Sequence, residues 1–100
     1  MFEFRISETR EFSTALARLD RTEADAIERK LTEHVYPQLR REPFFGPNIK
    51  KLRGYSPEAW RYRMGHFRLF YVVDDEKKMV VVLALTLRRD AYRQIFHQAT

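Results

Sequence analysis

Residues 60–71 read Trp-Arg-Tyr-Arg-Met-Gly-His-Phe-Arg-Leu-Phe-Tyr, two alternating runs joined by Gly65-His66. A two-residue loop that opens with glycine suits a type II′ hairpin, because glycine takes the positive φ of the first turn position without steric cost. The register follows, with Met64 opposite Phe67, Arg63 opposite Arg68, Tyr62 opposite Leu69 and Arg61 opposite Phe70. One face of the ribbon then carries Trp60, Tyr62, Met64, Phe67, Leu69 and Tyr71, and the other carries Arg61, Arg63, Arg68 and Phe70. Like charges directly across a ladder repel. A fold that sets Arg63 against Arg68 therefore points to an anion on that face, and phosphate is the obvious one.

Charge supports this. The net charge of +5 is uneven: residues 1–42 hold eight Lys/Arg against nine Asp/Glu, and residues 43–100 hold eleven against five. Fourteen of the nineteen cations are arginine, whose planar fork matches phosphate with two hydrogen bonds and stacks on bases. Nucleic acid is favoured as partner, with a membrane surface or an acidic protein as alternatives. One hundred residues with 44% hydrophobic content suffice for a single two-layered domain over 1–100. No apolar run approaches the roughly 18 residues of a membrane span, and Met1 to Arg5 does not open a secretory signal. The chain has no cysteine, which removes disulfides, thiolate zinc sites and a thiol nucleophile and makes a cytoplasmic setting the default.

Along the chain, Phe2 to Ile6 alternates as a strand. Ser7 or Thr9 can cap a helix bearing Phe12, Leu16 and Leu19. Thr22 with Asp25 resembles a capping box for a second helix, striped by Ala24, Ile27, Leu31 and Val35 and stopped by Pro37. Pro37 to Asn48 reads as a loop, in which Phe44 and Phe45 either pack beneath it or form an exposed apolar patch. Lys50 to Arg53 is a short basic strand or edge segment. After the arginine hairpin, Asp74 to Lys77 turn the chain, and Met79 to Thr86 is an apolar strand buried on both faces. Arg88 to Gln98 reads as helical. The expected fold is α+β: an N-terminal strand, a two-helix hairpin, then a three-stranded antiparallel meander with a short C-terminal helix.

Taken in order, Ile49-Lys50-Lys51-Leu52-Arg53-Gly54-Tyr55, the hairpin, and Arg88-Arg89-Asp90-Ala91-Tyr92-Arg93 give the chain a resemblance to the RelE/ParE superfamily of toxins from type II toxin–antitoxin systems. The likeness runs over nearly the whole length, and the element order matches the RelE/ParE-like fold. It implies a partner antitoxin and one of two targets. RelE-like members cleave mRNA in the ribosomal A site; ParE-like members inhibit DNA gyrase. It also implies a catalytic set of Arg61, Arg63, Arg68, Arg88 or Arg89, and Tyr92. The chemistry so implied is attack of a ribose 2′-hydroxyl on the adjacent phosphate, with no metal or other cofactor. RelE-like enzymes often carry lysine where Arg61 and Arg63 stand, and arginine hardly gives up its proton. Here Arg63 and Arg68 are expected to clamp phosphate while Arg61 lies near the 2′-oxygen.

Lys50, Lys51, Arg53 and Arg89 are expected to contact RNA phosphates, or else to make a solvated edge that discourages strand pairing. Phe70, on the arginine face, is expected to stack a base. His97 and His66 are candidate acids or bases, His66 otherwise being a solvated turn residue. Glu58 is the lone acid near the cleft.

Overall fold

The computed structural model describes residues 3–87. Arg88, Arg89, Tyr92 and His97, together with the C-terminal helix expected over Arg88 to Gln98, lie outside the described residues. Strand β1 (Arg5–Glu8) leads into helices α1 (Arg10–Ala17) and α2 (Arg21–Lys30), a π-turn over Leu31–Val35 and helix α3 (Tyr36–Arg41). Strands β2 (Ile49–Leu52), β3 (Ala59–Met64), β4 (Phe67–Asp74) and β5 (Met79–Leu87) follow. They form one five-stranded sheet in the order β1-β5-β4-β3-β2. The meander thus has four antiparallel strands, since the basic segment is itself a strand. β1 pairs parallel with β5 at the far edge.

Thr9 is the cap of α1, its Oγ1 accepting from the Phe12 N–H at 3.2 Å. The cap of α2 is Asp20, not the expected Thr22: Asp20 Oδ1 accepts from the Glu23 N–H at 2.9 Å. Helix α2 begins at Arg21, so Thr22 already lies within the first turn and has no capping position to fill. Nor does Pro37 end the helical path. The Tyr36 N–H bonds back to Leu31 O, five residues away, and this widened turn carries the chain past the proline, whose ring would otherwise press on the carbonyl four residues before it. Pro37 then sits in the first turn of α3, where a missing N–H costs nothing.

The helices cover one face of the sheet. Phe12, Leu16, Ile27, Leu31, Val35 and Leu39 pack there against Trp60, Tyr62, Met64, Leu69, Tyr71, Val80 and Val82. In the connection after α3 the adjacent phenylalanines part company. Phe44 meets Phe4 and Trp60 edge-on, at centroid distances of 6.0 and 5.1 Å, whereas Phe45 is 76% exposed. Tyrosine hydroxyls tie the layers together: Tyr36 donates to Glu8 Oε2 (2.6 Å), Tyr62 to Gln38 Oε1 (2.7 Å) and Tyr71 to Pro43 O (2.7 Å). A smaller buried cluster of Leu52, Ala59, Phe70 and Ala84 lies on the opposite face.

β5 is buried on its helix side, whereas on the other face Ala84 and Thr86 are buried and Val81 and Leu83 only half-buried, and its alternation breaks once. Phe70 pairs with Ala84 and the next residue, Tyr71, pairs with Val82, so Leu83 is an extra residue bulged out of register. Val82 and Leu85, three apart, consequently share the helix-side core, while Ala84 turns to the other face. Thr9 secures the bulge, its N–H donating to Val82 O (3.1 Å) and its hydroxyl to Leu83 O (3.2 Å).

Candidate functional site

The β3–β4 ladder has the register read from the turn: Arg63 pairs with Arg68, Arg61 with Phe70 and Met64 with Phe67. Gly65 has φ +59° and His66 lies outside the positive-φ region, as a type II′ turn requires. The strands extend this pattern into rows that cross the sheet on the face away from the helices. One row runs Lys50, Arg61, Phe70, Ala84, and its neighbour runs Arg63, Arg68, Thr86. Four cations, Lys50, Arg61, Arg63 and Arg68, therefore share one face within two adjacent rows.

Their environments differ. Arg63 and Lys50 are exposed and Arg61 is half-buried. Arg61 Nε is shielded from solvent and has no hydrogen-bond partner among the described residues. Arg68 is only 7% exposed, and its Nη1 donates to Gly65 O (3.2 Å) and Phe67 O (3.1 Å). This guanidinium fastens the turn and sets a charge beneath the surface, where solvent screens it weakly. Arg63 is held by its backbone as well, its N–H donating to Asn48 O at 2.9 Å and prolonging the contact with the segment before β2.

One expected contact is corrected by this geometry, and a second is placed apart from the arginines. Phe70 is 1% exposed and forms part of the buried cluster, so it is a floor beneath the arginines rather than a platform for a base. Lys51 pairs across the ladder with Trp60, whose ring is in the helix-side core, so Lys51 belongs to the face opposite the arginines. There it forms an ion pair with Glu58, which removes Glu58 from the arginine face too. Arg53 is exposed beyond the end of β2 and lines a cleft of about 540 Å³ at the sheet edge together with Lys50, Lys51, Leu52, Gly54, Tyr55 and Glu58. Gly54, at φ +81°, takes a left-handed backbone that favours glycine, although there is open space where a Cβ would stand. His66 is exposed in the turn beyond the Arg63–Arg68 row.

Thr86 is the residue that the sequence did not offer as part of this face. The Leu83 bulge places it opposite Arg68, it is 4% exposed, and its Oγ1 has no hydrogen-bond partner among the described residues. The available signal was slight: it is the sole polar residue of the β5 segment MVVVLALTL.

Two tyrosines behind the sheet titrate far from their usual range. Burial holds the Tyr36 hydroxyl well above the ordinary tyrosine value, helped by its hydrogen bond to the Glu8 carboxylate. Burial does the same to Tyr71, with the nearby Tyr62 and Glu42 adding to the shift.

Helices packed on one face of a five-stranded sheet match the RelE/ParE-like fold, and comparison with known proteins agrees. The family model for the ParE toxin of type II toxin-antitoxin system, parDE, matches residues 6–92. The chain belongs to this family and, with it, to the RelE/ParE superfamily of type II toxins. Among solved structures it is similar to the RelBE2 toxin–antitoxin complex of Mycobacterium tuberculosis, at 28% identity and TM-score 0.68, with 88% of this chain and 94% of that one covered. The isolated RelE toxin of E. coli shares the fold at 22% identity and TM-score 0.62, covering 97% and 99% of the two chains. A YoeB/ParE toxin from Agrobacterium tumefaciens shares it at 20% identity and TM-score 0.66, covering 85% and 99%. No curated protein matches the chain.

Proposed function

We propose that this toxin is an endoribonuclease that cuts mRNA in the ribosomal A site and that a cognate antitoxin holds it inactive. The observation that carries this reading is the pair of rows on the face away from the helices: Arg63 across from Arg68, and Lys50 across from Arg61. Cations gathered in two adjacent rows of one face offer a phosphoryl group several charged donors at once. In the proposed reaction the ribose 2′-oxygen forms a bond to phosphorus and the bond to the 5′-oxygen breaks, leaving a 2′,3′-cyclic phosphate and a 5′-hydroxyl. Negative charge grows on the non-bridging oxygens during the step, and preorganised guanidinium groups aimed at them stabilise it. Arg63 takes that role at the surface, Arg68 contributes its charge from below while fastening the turn, and Arg61 favours ionisation of the 2′-hydroxyl. The 2′ proton must leave and the 5′-oxygen must gain one. His66 is the described candidate for that exchange, with Tyr92 and His97 as candidates beyond the described residues, where Arg88 and Arg89 would add positive charge for the phosphate. Lys50 and Arg53 contact RNA phosphates in this reading, giving affinity without reading sequence.

The antitoxin part of the proposal draws on the similar M. tuberculosis protein, whose structure is a toxin–antitoxin complex. Among the described residues no helix is long and apolar enough to cross a membrane, and the proposed place of action is the cytoplasm, where ribosomes are. A second reading has one observation in its favour: the matching family model is that of the ParE toxin. Under it the protein binds DNA gyrase, and the arginine face is a docking surface. Purified toxin added to ribosomes translating a defined message, with cut sites mapped by primer extension and a gyrase supercoiling assay in parallel, separates the two. Cuts confined to ribosome-bound message support the nuclease. Intact message with inhibited gyrase replaces it by the second reading.

A further inference from the structure

Thr86 gains nothing for the fold from its hydroxyl. The group is shielded from solvent and bonds to no partner among the described residues, and a buried polar atom left so is a cost that a valine of the same shape would not carry. Thr86 nevertheless faces the arginines only because β5 bulges at Leu83, and Thr9 holds that bulge with two hydrogen bonds. Were β5 to alternate regularly through Leu83, Thr86 would share the face of Val80 and Val82 and point into the helix-side core. Across the ladder stands Arg68, and across from Arg68 stands Arg63. In the neighbouring row, Arg61 Nε is the other shielded donor without a partner among the described residues. Two unsatisfied donors of different chemical type thus share a face with exposed cations. A hydroxyl and a guanidinium N–H have one common partner of high affinity, an anionic oxygen.

We propose that the Thr86 hydroxyl is a ligand of the phosphoryl group bound on the arginine face, donating to an oxygen that Arg61 or Arg63 also contacts. The inference rests on the nuclease reading for its substrate, but not for its anion. A phosphoryl group lying across the two rows would offer an oxygen to each orphaned donor. The valine-like shape of threonine leaves packing around the position unchanged when the hydroxyl alone is removed.

The test compares wild type, Thr86→Val and Thr86→Ser in two measurements. One is the rise in melting temperature when inorganic phosphate replaces chloride at equal ionic strength; the other is kcat and KM for cleavage of ribosome-bound message. Thr86→Val is expected to melt at or above the wild-type temperature in chloride, to lose most of the phosphate-dependent rise, and to lower kcat by about tenfold. Thr86→Ser is expected to keep both properties. An unchanged phosphate response in Thr86→Val overturns the inference, and if the wild type cuts message the nuclease reading survives it. A phosphate response that needs the hydroxyl, in a wild type that leaves message intact, upholds the inference while the nuclease reading falls. A lowered melting temperature of Thr86→Val in chloride, with the phosphate rise preserved, makes the role structural and also overturns it.

Discussion

The two faces of the sheet treat polar atoms in opposite ways. Behind it, among the helices, the hydroxyls of Tyr36, Tyr62 and Tyr71 each donate to an acceptor inside the fold, and apolar side chains fill the space between them. On the face away from the helices, Arg63 stands against Arg68, Arg61 Nε and Thr86 Oγ1 are shielded without partners among the described residues, and the apolar cluster is small. The helix-covered face is satisfied by the protein alone and is where its stability resides. On the arginine face, Arg61 Nε and Thr86 Oγ1 are the kinds of group that an anion would complete. Substitutions on the two faces should therefore separate stability from activity.

The largest effect is expected where the satisfied face is emptied. Tyr71 is fully buried, stacks on Trp60 at 6.3 Å and bonds to Pro43 O. Tyr71→Ala should lower the free energy of unfolding by about 3–5 kcal/mol, read as a shifted urea midpoint. A loss under about 1 kcal/mol would mean that this layer is not the principal core. Next in size is the opposite pattern from the other face. Arg63→Ala should reduce message cleavage by roughly 10²–10³-fold and leave stability unchanged or a few tenths of a kcal/mol higher, because a like-charge neighbour of Arg68 is removed. Thermal melting beside the cleavage assay checks both halves. A parallel loss of stability would show that Arg63 helps to hold the fold and break the contrast.

A pH series sharpens the comparison from the stable side. Tyr36 and Tyr71 both have hydroxyls raised above the ordinary tyrosine value by burial. Folding therefore disfavours their ionised forms. Their contribution is fully present below about pH 10, where unfolded tyrosine is still protonated, and is lost as pH rises beyond it. Each should cost roughly 1.4 kcal/mol per pH unit in that range. Tyr71→Phe should flatten the alkaline decline by one tyrosine's share. An unaltered slope in chemical denaturation between pH 9 and 11 would show that Tyr71 is not the group responsible.

Much of the arginine face was legible in the sequence because a two-residue turn is a local device. Gly65 sets the turn, the turn sets the pairing, and the pairing sends Arg61, Arg63 and Arg68 to one side. What escaped depends on contacts distant in sequence or on counts of one residue. The Leu83 bulge leaves no mark in a run of valines and leucines, yet it decides which face Thr86 occupies. Lys51 was placed with Lys50 as a phosphate contact, but adjacent residues on a strand point to opposite faces, and only the β2–β3 register shows which one joins the arginines. Phe70 was assigned to the right face and the wrong depth, since Leu52, Ala59 and Ala84, drawn from three other strands, enclose it. Pro37 was read as a stop because the usual rule assumes an α-helical turn before it, whereas the π-turn over Leu31–Val35 makes room for the ring.

The smallest predicted effect concerns the start of α2, where two residues compete for one role. Thr22 with Asp25 has the spacing of a capping box, but the cap that forms is Asp20, and the difference is where the first helical residue falls. With Arg21 as that residue, Asp20 keeps an extended backbone (φ −64°, ψ 158°), so its carboxylate reaches the free N–H of Glu23 and its charge faces the positive end of the helix dipole. Thr22 is one residue inside the helix and exposed, with no free amide to serve. Asp20→Ala should therefore cost about 1 kcal/mol of unfolding free energy, while Thr22→Ala should change it by less than about 0.5 kcal/mol and could raise it through alanine's better helix propensity. Both positions are exposed and distant in sequence from the arginine strands, so cleavage per folded molecule should stay at the wild-type level in each. The reverse order of costs would move the helix start to Thr22 and restore the capping box.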